Sequence, residues 1–154
     1  MSSASDRSVI ADPSLHVVLQ ALEESQRRFM SGDVALWMEH LSRRDDVAIL
    51  GGWGGHETGW SETQARYRWA CARFRASQAK LTVEYLTSCA SGDLAFTTAI
   101  ERSEAKVEGQ ERPASMALRV THIFRREDGT WKLMLRHADP LVARTPPEAV
   151  LEKR

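Results

Sequence analysis

The sequence predicts an α+β fold: a cone-shaped, curved antiparallel sheet with three N-terminal helices on its concave face. Apolar residues keep a helical spacing through the first half of the chain and change to a period of two from Ala79 onward. That change happens once, so helices and strands are largely segregated, the pattern of an α+β domain. Near the C-terminus, Asp128-Gly129 sits between two long alternating runs, which marks a tight hairpin.

The chain has 154 residues, enough for one domain with one core. Its 42% apolar and 27% charged residues fit a globular protein. Lys plus Arg and Asp plus Glu both count 21, so the net charge is zero. A nucleic-acid-holding domain is usually basic, so that partner class is not expected. No apolar run is long enough to span a membrane. Cys71 and Cys89 make neither a disulfide framework nor a metal site. The expected home is a reducing cytoplasm.

Residues 1–12 read as a disordered leader, 13–142 as a single domain and 143–154 as a loose tail. Asp12 caps a first helix with Pro13 at its first position. Leu15, Val18, Leu19, Leu22, Gln26 and Phe29 form its buried stripe. Gly32 ends it, and Asp33 caps a short second helix carrying Leu36, Trp37 and Leu41. Val47 to Leu50 read as a strand. GGWGGHETGW, residues 51–60, holds five glycines and reads as a shaped loop. Ser61 and Gln64 form a capping box for a third helix running to about Ser77, with Tyr67, Ala70, Cys71 and Phe74 inward and Trp69 well off that stripe. Four strands follow. In the second of them Leu94, Phe96, Thr98 and Ile100 share a face.

Two segments, SGDVALWMEHLSRRDDVAILGGWGGHETGW and LRVTHIFRREDGTWKLMLRHADP, resemble the SnoaL-like and ketosteroid-isomerase-like superfamily, whose cone-shaped fold is shared with nuclear transport factor two. The resemblance covers roughly residues 14–142. It implies the fold, while members of this superfamily include isomerases, cyclases, dehydratases and proteins without catalysis. The steroid isomerases carry an Asp base at the end of the first strand, a Tyr in the first helix and an Asp on a late strand. The matching positions here hold Leu50-Gly51-Gly52, Ser25-Gln26, and Thr121 or His122. The resemblance therefore implies the scaffold without that catalytic set.

A two-residue turn at Asp128-Gly129 pairs Phe124 with Leu133, His122 with Leu135 and Val120 with His137. One face of the hairpin then carries His122, Phe124, Trp131, Leu133, Leu135, His137 and Asp139. This apolar face is assigned to the concave pocket, with a different register if a bulge intervenes. His122 and His137 become diagonal neighbours able to act as general acid or base, with Asp139 orienting a ring. The competing reading of His122 is a core histidine held by a backbone carbonyl. Glu84 and Glu101 are further candidates for a buried base. Trp37, Trp53, Trp69, Tyr85, Phe96, Phe124 and Leu135 are expected to contact a small apolar or aromatic molecule. Arg66, Arg68, Arg73 and Arg75 make the third helix basic, which reads as a solvated face or an attraction for an acidic ligand. No cofactor and no metal is expected, since two histidines and one acid do not complete a metal site. The opposite hairpin face, with Arg119, Thr121, Ile123, Arg125, Met134 and Arg136, suits a homodimer contact. Two functions remain open: an isomerase, cyclase or dehydratase step by His122, or a non-catalytic ligand-binding or dimerisation module.

Overall fold

A computed structural model describes residues 9–153. Helix α1 spans Pro13–Phe29, and the Asp12 carboxylate accepts from the Leu15 amide at 2.9 Å. Its stripe buries Leu15, Leu19, Leu22 and Gln26. Helix α2, Ala35–Glu39, buries Trp37 and Met38, and Asp33 accepts from the Ala35 amide at its start. Strands β1 (Ala48–Leu50) and β2 (Glu57–Thr58) flank the glycine-rich loop. Helix α3 (Trp60–Cys71) precedes four long strands: β3 (Lys80–Ser91), β4 (Leu94–Ala105), β5 (Ala114–Glu127) and β6 (Thr130–Pro140).

The six strands form one sheet in the order β2-β1-β6-β5-β4-β3. All neighbours are antiparallel except β1 and β6, which run parallel. Bulges at Leu86 in β3 and Met134 in β6 each insert one residue without a partner, and such insertions bend and coil a sheet. The β5–β6 turn has Asp128 and Gly129 both at positive φ, 50° and 77°, as a two-residue hairpin of right-handed twist requires.

Helix α3 differs from the expected one at both ends. It begins at Trp60, after Gly59 at φ 86°, so Ser61 already lies in the first turn and no side chain caps it. It stops at Cys71 because residues 73–75 pair instead with the β4–β5 connection: Arg75 donates to the Lys106 carbonyl at 2.8 Å and Glu108 to that of Arg73 at 2.6 Å.

The core forms two clusters on the concave side. One joins Leu15, Leu19 and Leu22 of α1 to Trp37, Tyr67, Phe124, Trp131 and Leu133. The other gathers Met30, Phe74, Ala79, Leu81 and Ala105. In β4 the inward positions are Ala95, Thr97, Ala99 and Glu101, small residues apart from the last. The α1 stripe already fills that space, so the bulky alternates face outward. Phe96, assigned to the pocket from the sequence, is therefore on the convex face with 40% of its surface exposed. It stands there beside Ile123 and Leu135 in one cross-strand row.

Part of the expected leader is docked. Ile10 is buried in the first cluster, and the Val9 carbonyl accepts from Ser88 Oγ at 2.6 Å. Residues 1–8 lie outside the described residues. The tail carries a 3-10 turn at Pro147–Val150, with all of residues 139–153 exposed.

Ile10→Ala should lower stability by about 2–4 kcal/mol, the usual cost of deleting a buried Ile side chain. Urea denaturation measures it; a loss under about 0.5 kcal/mol, the surface range, would show that this segment is not part of the core.

Candidate functional site

A cavity of about 350 Å³ opens beside Phe29, which bridges the two apolar clusters. Helices α1, α2 and α3 wall one side, and the inner faces of β4, β5 and β6 wall the other. Phe29 sets the aromatic wall, with ring centres 5.8 Å from Trp37, 6.2 Å from Tyr67 and 6.0 Å from Phe74. Gly52 lets the loop pass close to β5, since a Cβ there would come within 3.2 Å of Leu118. Positive φ at Gly54 and Gly55 then turns the chain and leaves Trp53 at the mouth, 46% exposed. Its ring stacks on Phe74 at 5.7 Å and meets Trp69 edge-on at 5.9 Å.

The inner end of the cavity is polar. Gln26 projects from the α1 stripe, and Glu101 follows the inward parity of Ala95, Thr97 and Ala99. Arg136 turns inward because the Met134 bulge reverses the facing of every later residue in β6. The Arg136 guanidinium donates to both Glu101 oxygens, at 2.9 and 3.0 Å. Gln26 Nε2 donates to the same two oxygens at 2.6 and 3.0 Å. Burial alone would raise the Glu101 carboxyl's pKa, but Arg136 and these hydrogen bonds hold it below the usual range. The glutamate is thus an anion with its lone pairs occupied.

His122 lies behind this pair. Its Nε2 is 2.8 Å from Arg136 Nη1. A guanidinium can only donate, so Nε2 accepts and the ring proton resides on Nδ1. Burial, reinforced by the Arg136 charge and opposed by Glu101, pushes the His122 pKa down to about 3. Burial also keeps the Tyr67 phenol protonated well above its usual range. The buried Trp37 indole N–H has the Tyr67 hydroxyl as its polar neighbour. No group of three or more His, Cys, Asp or Glu among the described residues is arranged to hold a metal ion.

Of the residues singled out from the sequence, Trp37 and Trp53 line the cavity. Trp69 buttresses Trp53 from outside. His122 and Tyr85 border a small separate void under α1, and the Tyr85 hydroxyl donates to Glu23 at 2.7 Å. Phe124 is wholly buried against His122. The bulge corrects the hairpin register: His122 pairs with Arg136, not Leu135. Leu135, His137 and Asp139 consequently face the convex side, where His137 and Asp139 approach to 3.1 Å in partial exposure. Neither they nor Phe96 reach the cavity. Glu84 is on the surface paired with Arg102, while Glu101 is 4% exposed. Gln26, Tyr67 and Arg136 were missed as site residues. The signal for Gln26 was a polar side chain inside an apolar helical stripe, which needs a buried partner.

The pattern of the SnoaL-like domain family matches residues 18–142. No curated protein matches the sequence. Among solved structures, a candidate dehydratase of the NTF2-like family from Streptomyces avermitilis has a TM-score of 0.71 at 20% identity, over 91% of this chain and 100% of that one. An NTF2-like protein of unknown function from Pseudomonas putida has 0.66 at 18%, over 95% and 99%. A candidate calcium/calmodulin-dependent protein kinase type II association domain from Thiobacillus denitrificans has 0.65 at 21%, over 84% and 97%. At these identities the likeness speaks for the fold alone.

The buried histidine makes stability pH-dependent. The folded ring titrates at about 3 and a free one near 6.5, so below pH 6.5 unfolding takes up a proton and the fold weakens as pH falls. From pH 6.5 down to 4.5, the midpoint of a free glutamate, the loss expected from His122 is at most about 1.4 kcal/mol per pH unit. His122→Gln, which keeps an acceptor for Arg136, should remove that share of the slope. Denaturant melts of both proteins across this range test it; identical slopes would contradict a neutral buried His122.

Proposed function

The chain belongs to the SnoaL-like domain family, and from that premise we propose that it is a small-molecule-binding domain whose cavity takes a flat, largely apolar molecule. The observation that carries this reading is the cavity itself: about 350 Å³ with aromatic walls over a mutually neutralised Glu101–Arg136 floor. Such a space favours an apolar ring system.

The support for proton transfer by His122 is weaker than for binding. A general base needs a free lone pair within reach of the substrate. The His122 Nε2 lone pair is taken by Arg136, and the ring is absent from the cavity wall. Glu101 is occupied in the same way. These pairings favour His122 as a positioning residue for Arg136, and favour the non-catalytic of the two readings. The same reading keeps the protein in a reducing cytoplasm, where the exposed thiol of Cys89 stays free.

The convex face supports a second proposal, a homodimer. Phe96, Ile123 and Leu135 make an apolar row across three strands, and Leu94, two residues from Phe96 on the same face, is half exposed. A second copy facing the same row through a two-fold axis would cover it. One structural neighbour is described as an association domain, which fits a face made for self-contact.

Titration with N-phenyl-1-naphthylamine tests the cavity. The expected result is saturable binding of one probe per chain, abolished by Ala70→Phe, which fills the cavity from α3. Linear, unsaturable fluorescence would overturn the reading. Sedimentation at micromolar concentration tests the dimer: Ile123→Glu should shift the protein to monomer. A wild-type protein that sediments only as monomer would remove the proposal.

A further inference from the structure

The mouth of the cavity offers a charge that its floor does not. At the inner end Glu101 and Arg136 neutralise each other and His122 is neutral, so an anionic ligand group placed there would meet the Glu101 carboxylate and no spare cation. At the outer end Arg66 of α3 forms part of the wall near Trp53. Its guanidinium carbon is 4.1 Å from the Trp69 ring centre, and that of Arg73 is 4.9 Å from the same ring. Stacking on an aromatic face holds a guanidinium in place without using its in-plane N–H donors. The two arginines then differ in how those donors are spent. Arg73 pairs with Glu108 at 3.2 Å. Arg66 has Glu57 at 4.0 Å, beyond hydrogen-bond distance, and no other ion pair among the described residues. Arg66 is therefore a fixed cation at the cavity wall with its fork unspent.

Resting on the cavity reading above, we propose that Arg66 is an anion subsite and that the ligand is an amphiphilic aromatic acid. Its rings occupy the space between Phe29, Trp37, Tyr67 and Phe74, and its carboxylate or sulfonate sits at the mouth on Arg66. This orientation leaves the acid partly hydrated, which avoids the large cost of burying an unpaired charge. The planar fork of Arg66 matches two oxygens of one acid group. It also gives Arg66, one of the arginines that make this stretch basic, a role that apolar contact with a neutral ligand would not use. Glu57, the nearest carboxylate, is the competitor that an incoming acid must outbid for Arg66.

Two probes with the same ring system separate this proposal from the cavity reading. N-phenyl-1-naphthylamine is neutral, and 8-anilinonaphthalene-1-sulfonate adds one sulfonate. The intact chain should bind the sulfonate about tenfold more tightly, the effect of one charge-assisted contact. Arg66→Gln should remove most of that advantage while weakening the neutral probe much less. Glu57→Gln, which removes the competing carboxylate, should tighten the sulfonate and not the neutral probe, and this opposite change does not depend on the first variant folding. If the neutral probe binds but the sulfonate gains nothing, or if Arg66→Gln weakens both equally, the anion subsite is overturned and the cavity reading stands. If neither probe binds, both fall.

Discussion

Arg136 and Glu101 face each other in the interior of the cone, and the rest of the site is arranged around keeping that pair complete. Two charges taken out of water are tolerated only when each satisfies the other and the remaining lone pairs find donors. Gln26 supplies those donors to Glu101, and His122 supplies an acceptor to Arg136. The four side chains come from α1, β4, β5 and β6, so the pair ties one helix to three neighbouring strands. The cavity can be apolar in its walls because the charge at its floor sums to zero.

The fold was legible in the sequence because its signals are local. The Asp12-Pro13 cap, the α1 stripe and the Asp128-Gly129 turn each depend on residues close together in the chain, and each occurs where it was read. The site was less legible because facing in a strand is not a local property. Alternation through residues 131–139 places Leu135 and His137 beside Leu133, but the one extra residue at Met134 reverses every later position and brings Arg136 inward instead. No residue type at Met134 marks that insertion. In β4 the bulk of Phe96 argues from the sequence for its own parity facing the pocket. The space was already filled by Leu15, Leu19 and Leu22 from α1, so small residues had to face in. Glu101 shares the parity of Ala95 and Ala99, and its burial follows from that choice.

The same geometry divides the labour among the aromatic residues. Trp37 and Tyr67 belong to the packed interior, where neighbouring rings at 5.5 Å hold them still. Trp53 and Trp69 stand at the rim on a glycine loop and a helix face, held by Phe74, Arg66 and Arg73. A ligand would meet a rigid inner wall and a looser outer one, with recognition of its charge deferred to the rim. On the convex side no helix among the described residues covers the sheet, and the bulky residues excluded from the cone have collected there. A single rule, that α1 fills the concave side first, accounts both for the cavity's position and for the apolar outer row.

The most direct measurement is a double-mutant cycle on the buried pair. Glu101→Gln and Arg136→Met, made singly and together, are compared by equilibrium denaturation. Each single change strands a buried charge or a set of buried polar groups and should cost about 3–5 kcal/mol. The double change leaves no unpaired charge, so its cost should fall well below the sum of the two. Additive losses, or single losses under about 1 kcal/mol, would show that Arg136 does not turn inward onto Glu101 and would contradict the bulged register on which the site depends.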